Sequence, residues 1–205
     1  MKAIASTTIT YPIVETFHSI QGEGVSMGVS AFFIRLAGCD VHCPWCDQKE
    51  SWTINPYPSQ SVEVLGEAAK RANPALVIIT GGEPLMHNLD PLTAQLRGLG
   101  LRVHLETSGS HPLTGQFDWV TFSPKPFQVP HDSIYPEVDE LKVVIATEKD
   151  LQWAEEQATK VPPQTVKYLQ PEWNTPESQQ LIYDYVLGHQ DWRISLQIHK
   201  FLGVR

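Results

Sequence analysis

The chain has 205 residues, 41% of them hydrophobic and 19% charged, with a formal net charge of -8. That length suffices for one domain, residues 1–205, with a sizeable core, and the composition is that of an ordinary globular protein. The acidic balance excludes a nucleic-acid or anionic-membrane surface, which needs clustered Lys and Arg, but not a small anionic substrate held by a few placed cations.

The opening stretch MKAIASTTITYPIVETF has no apolar core after a basic start. It therefore does not read as a signal peptide, and no stretch approaches the ~20 apolar residues of a membrane span. The chain has 3 cysteines, clustered between Cys39 and Cys46. Clustered thiols that cannot all pair fit a reducing compartment, so the expected location is the cytoplasm.

Strand-like and helix-like runs alternate along the chain. Residues 30–37, SAFFIRLA, predict a strand, and residues 61–72, SVEVLGEAAKRA, a helix after a turn rich in Pro and Ser. Residues 75–80, ALVIIT, predict a buried strand ending in GGEP; residues 89–100 predict a helix closed by Gly100. Further strands are expected at 101–109, 117–125, 140–147 and 165–171, with helices at 148–160 and 175–189. Residues 191–200, DWRISLQIHK, predict a last strand. Repetition of strand, loop and helix means a mostly parallel sheet with helices packed on it. The expected fold is α/β: an incomplete, partial TIM-like β/α barrel, since this length is short for eight full repeats.

Ligands bind at the C-terminal ends of strands in such sheets. Those ends carry Thr80–Pro84 (TGGEP), Glu106–Gly109 (ETSG), Ser123–Lys125 (SPK), Leu169–Asn174 (LQPEWN) and Gln197–Lys200 (QIHK). The cysteine loop, GCDVHCPWCDQ, also follows a strand. Its spacing is Cys39-x3-Cys43-x2-Cys46. Three thiolates on a four-iron cluster leave one iron open for a chelating ligand. From the residues alone, a Cys3His zinc site using His42 or a distant histidine, and inert buried thiols, stay open.

The cysteine spacing followed by GGEP resembles the radical S-adenosylmethionine (SAM) superfamily. A narrower resemblance covers nearly the whole chain. It rests on TFHSIQGEGVSMGVSAFFIRLAGCDVHCPWCD, VIITGGEPLMH, HLETSGS, VTFSPK, ELKVVI, LQPEWN and WRISLQIHKFLGVR, which are similar to the 7-carboxy-7-deazaguanine synthase family. QGEG before the cysteines and QIHK near the end are its specific pieces.

This resemblance implies a homodimeric lyase of queuosine and 7-deazapurine biosynthesis, acting on 6-carboxy-5,6,7,8-tetrahydropterin with a [4Fe-4S] cluster and SAM. It implies a reductant such as a flavodoxin or ferredoxin. It implies that Cys39, Cys43 and Cys46 hold the cluster. SAM would meet Trp45, Cys46 and Asp47 on the loop, Gly82 and Glu83 at its methionyl end, and Glu106 and Ser108. Ser123, Pro124 and Lys125, with Gln170, Pro171, Glu172, Trp173 and Asn174 along the nucleoside, complete that surface. The pterin would meet Ile20, Gln21, Gly22, Glu23, Arg35, Thr80, His199 and the C-terminal carboxylate of Arg205.

Plainer readings stand beside these. Glu23 between glycines is by itself a solvated turn residue, Lys125 an exposed one, and His199 a satisfied core histidine. Trp52, Trp119, Trp153, Trp173 and Trp192 read as core. Arg35 inside an apolar strand needs a partner. Magnesium-binding members of the family carry Cys-Asp-Thr where this chain has Cys46-Asp47-Gln48. The Gln48 carbonyl is a candidate hard-cation ligand but longer than a Thr hydroxyl, so Mg²⁺ is expected to contribute weakly or not at all. Two other functions remain in view: an activating enzyme that makes a radical on a partner protein, and a non-catalytic zinc module.

Overall fold

The computed structural model describes residues 8–205; the first part of the opening stretch lies outside the described residues. Among the described residues nine strands form one sheet: β1 (Thr10–Ile20), β2 (Ser30–Leu36), β3 (Ser59–Ser61), β4 (Leu76–Gly81), β5 (Val103–Thr107), β6 (Trp119–Phe122), β7 (Glu140–Ile145), β8 (Val166–Pro171) and β9 (Trp192–Ile194). Their spatial order is β3-β1-β2-β4-β5-β6-β7-β8-β9. From β2 to β9 every pairing is parallel, and β1 runs antiparallel to both β2 and β3. The sheet has two free ends, so it is an open, partial barrel as expected.

Helices α1 (Val62–Ala72), α2 (Asp90–Gly98), α3 (Glu148–Ala158) and α4 (Glu177–Gly188) pack against the sheet, and a short α5 (Ile198–Leu202) follows β9. Local chemistry sets their ends. The Ser61 hydroxyl accepts from the Val64 amide at 3.3 Å to start α1, and Asn73 in the left-handed region closes it. The Asp150 carboxylate accepts from the Thr147 amide at 2.7 Å, the acidic half of a capping box that opens α3. Gly100, at φ 79, ends the turn after α2 as the sequence predicts.

A period of two divides each strand between two environments. Phe32, Ile34 and Leu36 of β2, Val77 and Ile79 of β4, and Leu141, Val143 and Ile145 of β7 face the helices in the main core. Their alternates Arg35, Thr80 and Lys142, with Glu106 of β5 and Gln170 of β8, face the hollow of the sheet. A parallel sheet covered on both faces is ordinarily apolar on both. Here charged groups occupy one of them, which marks that face as a site.

Two expectations need correction. Residues 191–200 are not one strand: only Trp192–Ile194 is extended, and QIHK runs into α5. The serine at 195 turns the chain away, its amide donating to the Leu169 carbonyl at 2.9 Å and its hydroxyl to Gln170 Oε1 at 3.0 Å. The 11-residue strand β1 was not foreseen. Pro12 and a run of polar residues mask its pattern, and its pairing on both sides supplies the order that local propensity does not.

Candidate active site

The three thiols lie in the loop after β2. Cys39 is buried, Cys43 and Cys46 are half-buried, and none is in a disulfide. The loop is pinned at its root. Gly38 and Cys39 donate backbone bonds to Ser51 and Trp52 at 2.8 and 3.1 Å, and Asp40 pairs with His111 at 2.9 Å. The GGEP turn at the end of β4 presses on the same root. The Glu83 amide donates to the Gly38 carbonyl at 2.8 Å. A Cβ at Gly82 would lie 2.3 Å from that carbonyl oxygen and 2.7 Å from Cys39 Cβ, which backbone cannot yield. Gly82→Ala is therefore expected to displace the cysteine loop at a cost of about 1–3 kcal/mol and to lower iron uptake per chain several-fold, measured by iron content after reconstitution.

All three thiols line one cavity of about 240 Å³ with Gly81, Gly82, Thr107, Ser108, Ser123 and Lys125. Burial pushes the thiols of Cys39 and Cys43 up, so an ion's positive charge is what would favour their thiolates. Among the described residues no three of His, Cys, Asp and Glu converge as a single metal ion requires. A Cys3His zinc site needs that convergence. A four-iron cubane does not, because each thiolate binds a different iron. His42 instead packs on Trp52, ring centroids 4.7 Å apart. The donor set fits a [4Fe-4S] cluster.

The residues expected at SAM fall on two sides of that loop. Trp45, Cys46, Asp47, Gly82, Lys125, Gln170, Pro171, Glu172 and Trp173 border a cavity of about 220 Å³, while Glu106, Ser108 and Ser123 border the thiol cavity. Glu83, Pro124 and Asn174 border neither. Glu83 is 1% exposed, and its carboxylate accepts from the Leu85 amide at 3.0 Å, the Thr107 hydroxyl at 2.5 Å and the Ser108 amide and hydroxyl at 2.8 and 2.5 Å. Its side chain thus ties β4 to β5 rather than facing a ligand, which corrects the expected contact. Asn174 is likewise turned onto Glu172, its side-chain amide donating to the carboxylate at 3.3 Å and its main-chain amide at 3.1 Å. Lys125 is not an exposed turn lysine: its ammonium donates to the Ser123 hydroxyl at 2.7 Å. Trp173 is not core either; it is 44% exposed, with the Lys200 ammonium 5.0 Å from its ring centroid.

A third cavity, of about 420 Å³, adjoins the thiol cavity and shares Glu23, Arg35, Asp47, Gln48, Thr80 and Glu106 with it. Every residue expected at the pterin lines it: Ile20, Gln21, Gly22, Glu23, Arg35, Thr80, His199 and Arg205. Phe17 and Phe33, stacked at 4.7 Å across β1 and β2, add an apolar wall. The Gly22 turn admits no side chain, since a Cβ there would meet the His199 ring at 2.0 Å. Arg35 donates through Nε to Glu15 at 3.0 Å, and Arg205 Nη2 reaches Glu15 at 2.6 Å. The Ser19 hydroxyl donates to the main-chain oxygen of Arg205.

Sequence reasoning passed over Glu15 and Lys142, and it placed Gln197 and Lys200 on the rim without assigning them a role. Lys142 donates to Glu23 at 2.5 Å and Glu106 at 2.9 Å with its side chain 5% exposed. Gln197 donates to Glu23 at 2.8 Å, and Lys200 pairs with Asp47 at 2.9 Å. A lysine inside the apolar run ELKVVI was the available signal, of the same kind that singled out Arg35. Burial opposes the charge on Glu23, but the ammonium of Lys142 and the bonds from Lys142 and Gln197 outweigh it and hold its carboxyl at about 2. Burial, with the charges of Glu23 and Glu140, prevails over Lys142 at Glu106 and pushes it up to about 7.

The Radical SAM superfamily profile matches residues 33–144, more than half the chain. A 7-carboxy-7-deazaguanine synthase of Synechocystis sp. is 58% identical over 198 residues, covering 97% of this chain and 95% of that protein. The chain belongs to the 7-carboxy-7-deazaguanine synthase family. A member from Prochlorococcus marinus is 45% identical, covering 94% of this chain and 97% of its own. The crystal structure of QueE from Escherichia coli superposes with a TM-score of 0.81 at 32% identity, over 92% of this chain and 94% of that one. As a radical SAM enzyme of this family, the protein uses a [4Fe-4S] cluster and SAM, acts on a small molecule and draws on a reductant. None of its helices is long and apolar enough to cross a membrane, among the described residues.

Proposed function

We propose that this chain is the lyase that converts 6-carboxy-5,6,7,8-tetrahydropterin to 7-carboxy-7-deazaguanine and ammonia. The observation that carries the reading is the 420 Å³ cavity: residues drawn from β1, β2, β4, β5 and the C-terminal segment converge on it beside the cysteine loop. The cluster and SAM supply, when bound, a one-electron cleavage and a hydrogen-abstracting radical. The chain's own residues bind and orient. The Arg35 hydrogen bond runs through Nε, which leaves its paired Nη edge for a bidentate contact with the substrate carboxylate. Each Glu23 oxygen takes one bond from the protein, Oε1 from Gln197 and Oε2 from Lys142. Each therefore keeps lone-pair capacity for the amino and N–H edge of the pterin. Loss of ammonia needs a proton at the departing nitrogen, and Glu106 and His199 are titratable groups on the cavity wall. The C-terminal segment, through Gln197, His199, Lys200, Val204 and Arg205, narrows the cavity to small-molecule size. That favours a free pterin over a glycyl loop of a partner protein.

The same reading takes residues 1–205 as a single domain, the enzyme as a cytoplasmic homodimer, and a flavodoxin or ferredoxin as its reductant. The test is anaerobic reconstitution with iron and sulfide, then dithionite, SAM and the carboxytetrahydropterin. The expected result is 7-carboxy-7-deazaguanine by mass spectrometry with little 5′-deoxyadenosine. SAM cleavage without any deazapurine would leave the superfamily and remove the substrate.

Magnesium is expected to matter little. Gln48 borders the joint of the two cavities, where its side-chain carbonyl reaches further than the threonine hydroxyl it replaces. Turnover should change less than about twofold on adding Mg²⁺ after chelation. A strong, saturable activation that Gln48→Ala abolishes would overturn this.

A further inference from the structure

A lysine ammonium buried in a sheet needs a charged or hydrogen-bonding partner. Lys142 has two bonded carboxylates, and Glu140 lies two residues before it on the same face of β7. Glu140 has its own task, accepting from the Val25 amide at 3.0 Å. A Cβ at Gly24 would meet its carboxylate at 2.0 Å, so the QGEG turn is moulded onto β7 through Glu140. Glu23, the next residue back, is thereby delivered to Lys142. The two carboxylates that Lys142 bridges come from separate elements, the turn after β1 and the end of β5, and both line the cavity. Other charges act on this centre from further off: Lys125 from the turn after β6, and His199 from α5. With all three glutamates ionised, one ammonium leaves the buried cluster net negative.

We propose that Lys142 is a positioning residue for the pterin: its ammonium holds Glu23 and Glu106 in place, keeping Glu23 a hydrogen-bond acceptor for the ligand's amino edge. The proposal rests on the pterin reading above. Without the ammonium, Glu23 and Glu106 face each other and Glu140 in a poorly solvated cavity. Protonation is then the way to remove the repulsion, and a protonated Glu23 no longer accepts on both oxygens.

The sign follows. Removing Lys142 removes what lowers both carboxyls, so both titrate at higher pH. Ligand affinity then falls as pH drops through that higher range. Holo-protein would be titrated with 6-carboxypterin, a non-reacting ligand, by calorimetry between pH 5.5 and 9. Lys142→Met should bind roughly 30-fold more weakly at neutral pH, with the acid limb of affinity moved at least about one unit upward. Iron content should stay that of the unaltered protein, since Lys142 makes no hydrogen bond to the cysteine loop. Should Lys142→Met fail to fold, Lys142→Met/Glu106→Gln removes one charge of each sign and keeps the cluster's net charge. That double variant should fold, bind weakly and show the upward-shifted limb of Glu23 alone. Unaltered affinity and pH profile in either folded variant, with the parent binding well, would overturn the role of Lys142 alone. A parent that does not bind 6-carboxypterin would remove the pterin reading and this role with it.

Discussion

Cys43→Ala is expected to give a colourless protein with iron falling from about four atoms per chain to near none, and with no turnover. Cys43 is half-buried on the wall of the thiol cavity, outside the hydrophobic core, so truncation removes a ligand and not a packing element. Its loop is fixed by backbone bonds from Gly38 and Cys39 that the substitution leaves alone. The fold should therefore persist, with a melting temperature within a few degrees of the parent. Two remaining thiolates cannot hold a four-iron cluster tightly, because two irons would lack protein ligands. Cys43→Ser should do no better, since a hydroxyl at neutral pH is a poor substitute for a thiolate. Iron analysis and the visible spectrum after anaerobic reconstitution decide the matter. A brown, active Cys43→Ala protein would end the cluster assignment.

Arg35→Glu is expected to separate substrate binding from cofactor chemistry. The substitution puts a carboxylate beside Glu15, which already pairs with Arg35 and Arg205, and opposite the substrate carboxylate. Loss of the fork contact plus repulsion should raise KM for the pterin by ~100-fold or more. Slow SAM cleavage by the reduced enzyme without substrate should persist, because none of the thiols or the GGEP turn touches Arg35 through a hydrogen bond. Arg35→Lys keeps the charge and loses the fork, and should fall between the two. Measuring both rates in one preparation distinguishes the outcomes. Unchanged pterin affinity in Arg35→Glu would assign the carboxylate to another cation.

Much of the site was legible because its chemistry is carried by short spacings. Cys39-x3-Cys43-x2-Cys46, the GGEP turn and the strand-end motifs are local, and a parallel sheet brings strand ends to one rim whatever the details of packing. Arg35 was legible for a different reason: a charge within an apolar strand is costly unless something meets it. What met it was not legible. Glu15 lies opposite Arg35 only through the antiparallel register of β1 on β2, with a bulge between Ile13 and Glu15, and β1 itself was hidden by Pro12 and polar residues.

The same holds for Lys142. The pattern ELKVVI announces an interior lysine, but its partners come from the QGEG turn and β5, which are distant in sequence and meet it only after the sheet curves. Glu83 illustrates the reverse. Its place in GGEP suggested a ligand contact, and only the packing of β4 against β5 shows its carboxylate already filled by Thr107, Ser108 and Leu85. The sequence by itself therefore determined the order of strands and helices and the one rim that gathers the cysteine loop, GGEP and the other strand-end motifs, since spacing and periodicity are properties of the chain. The tertiary structure decided which charges neutralise one another and which side chains remain free for a ligand, because those depend on register between strands that are not neighbours in sequence.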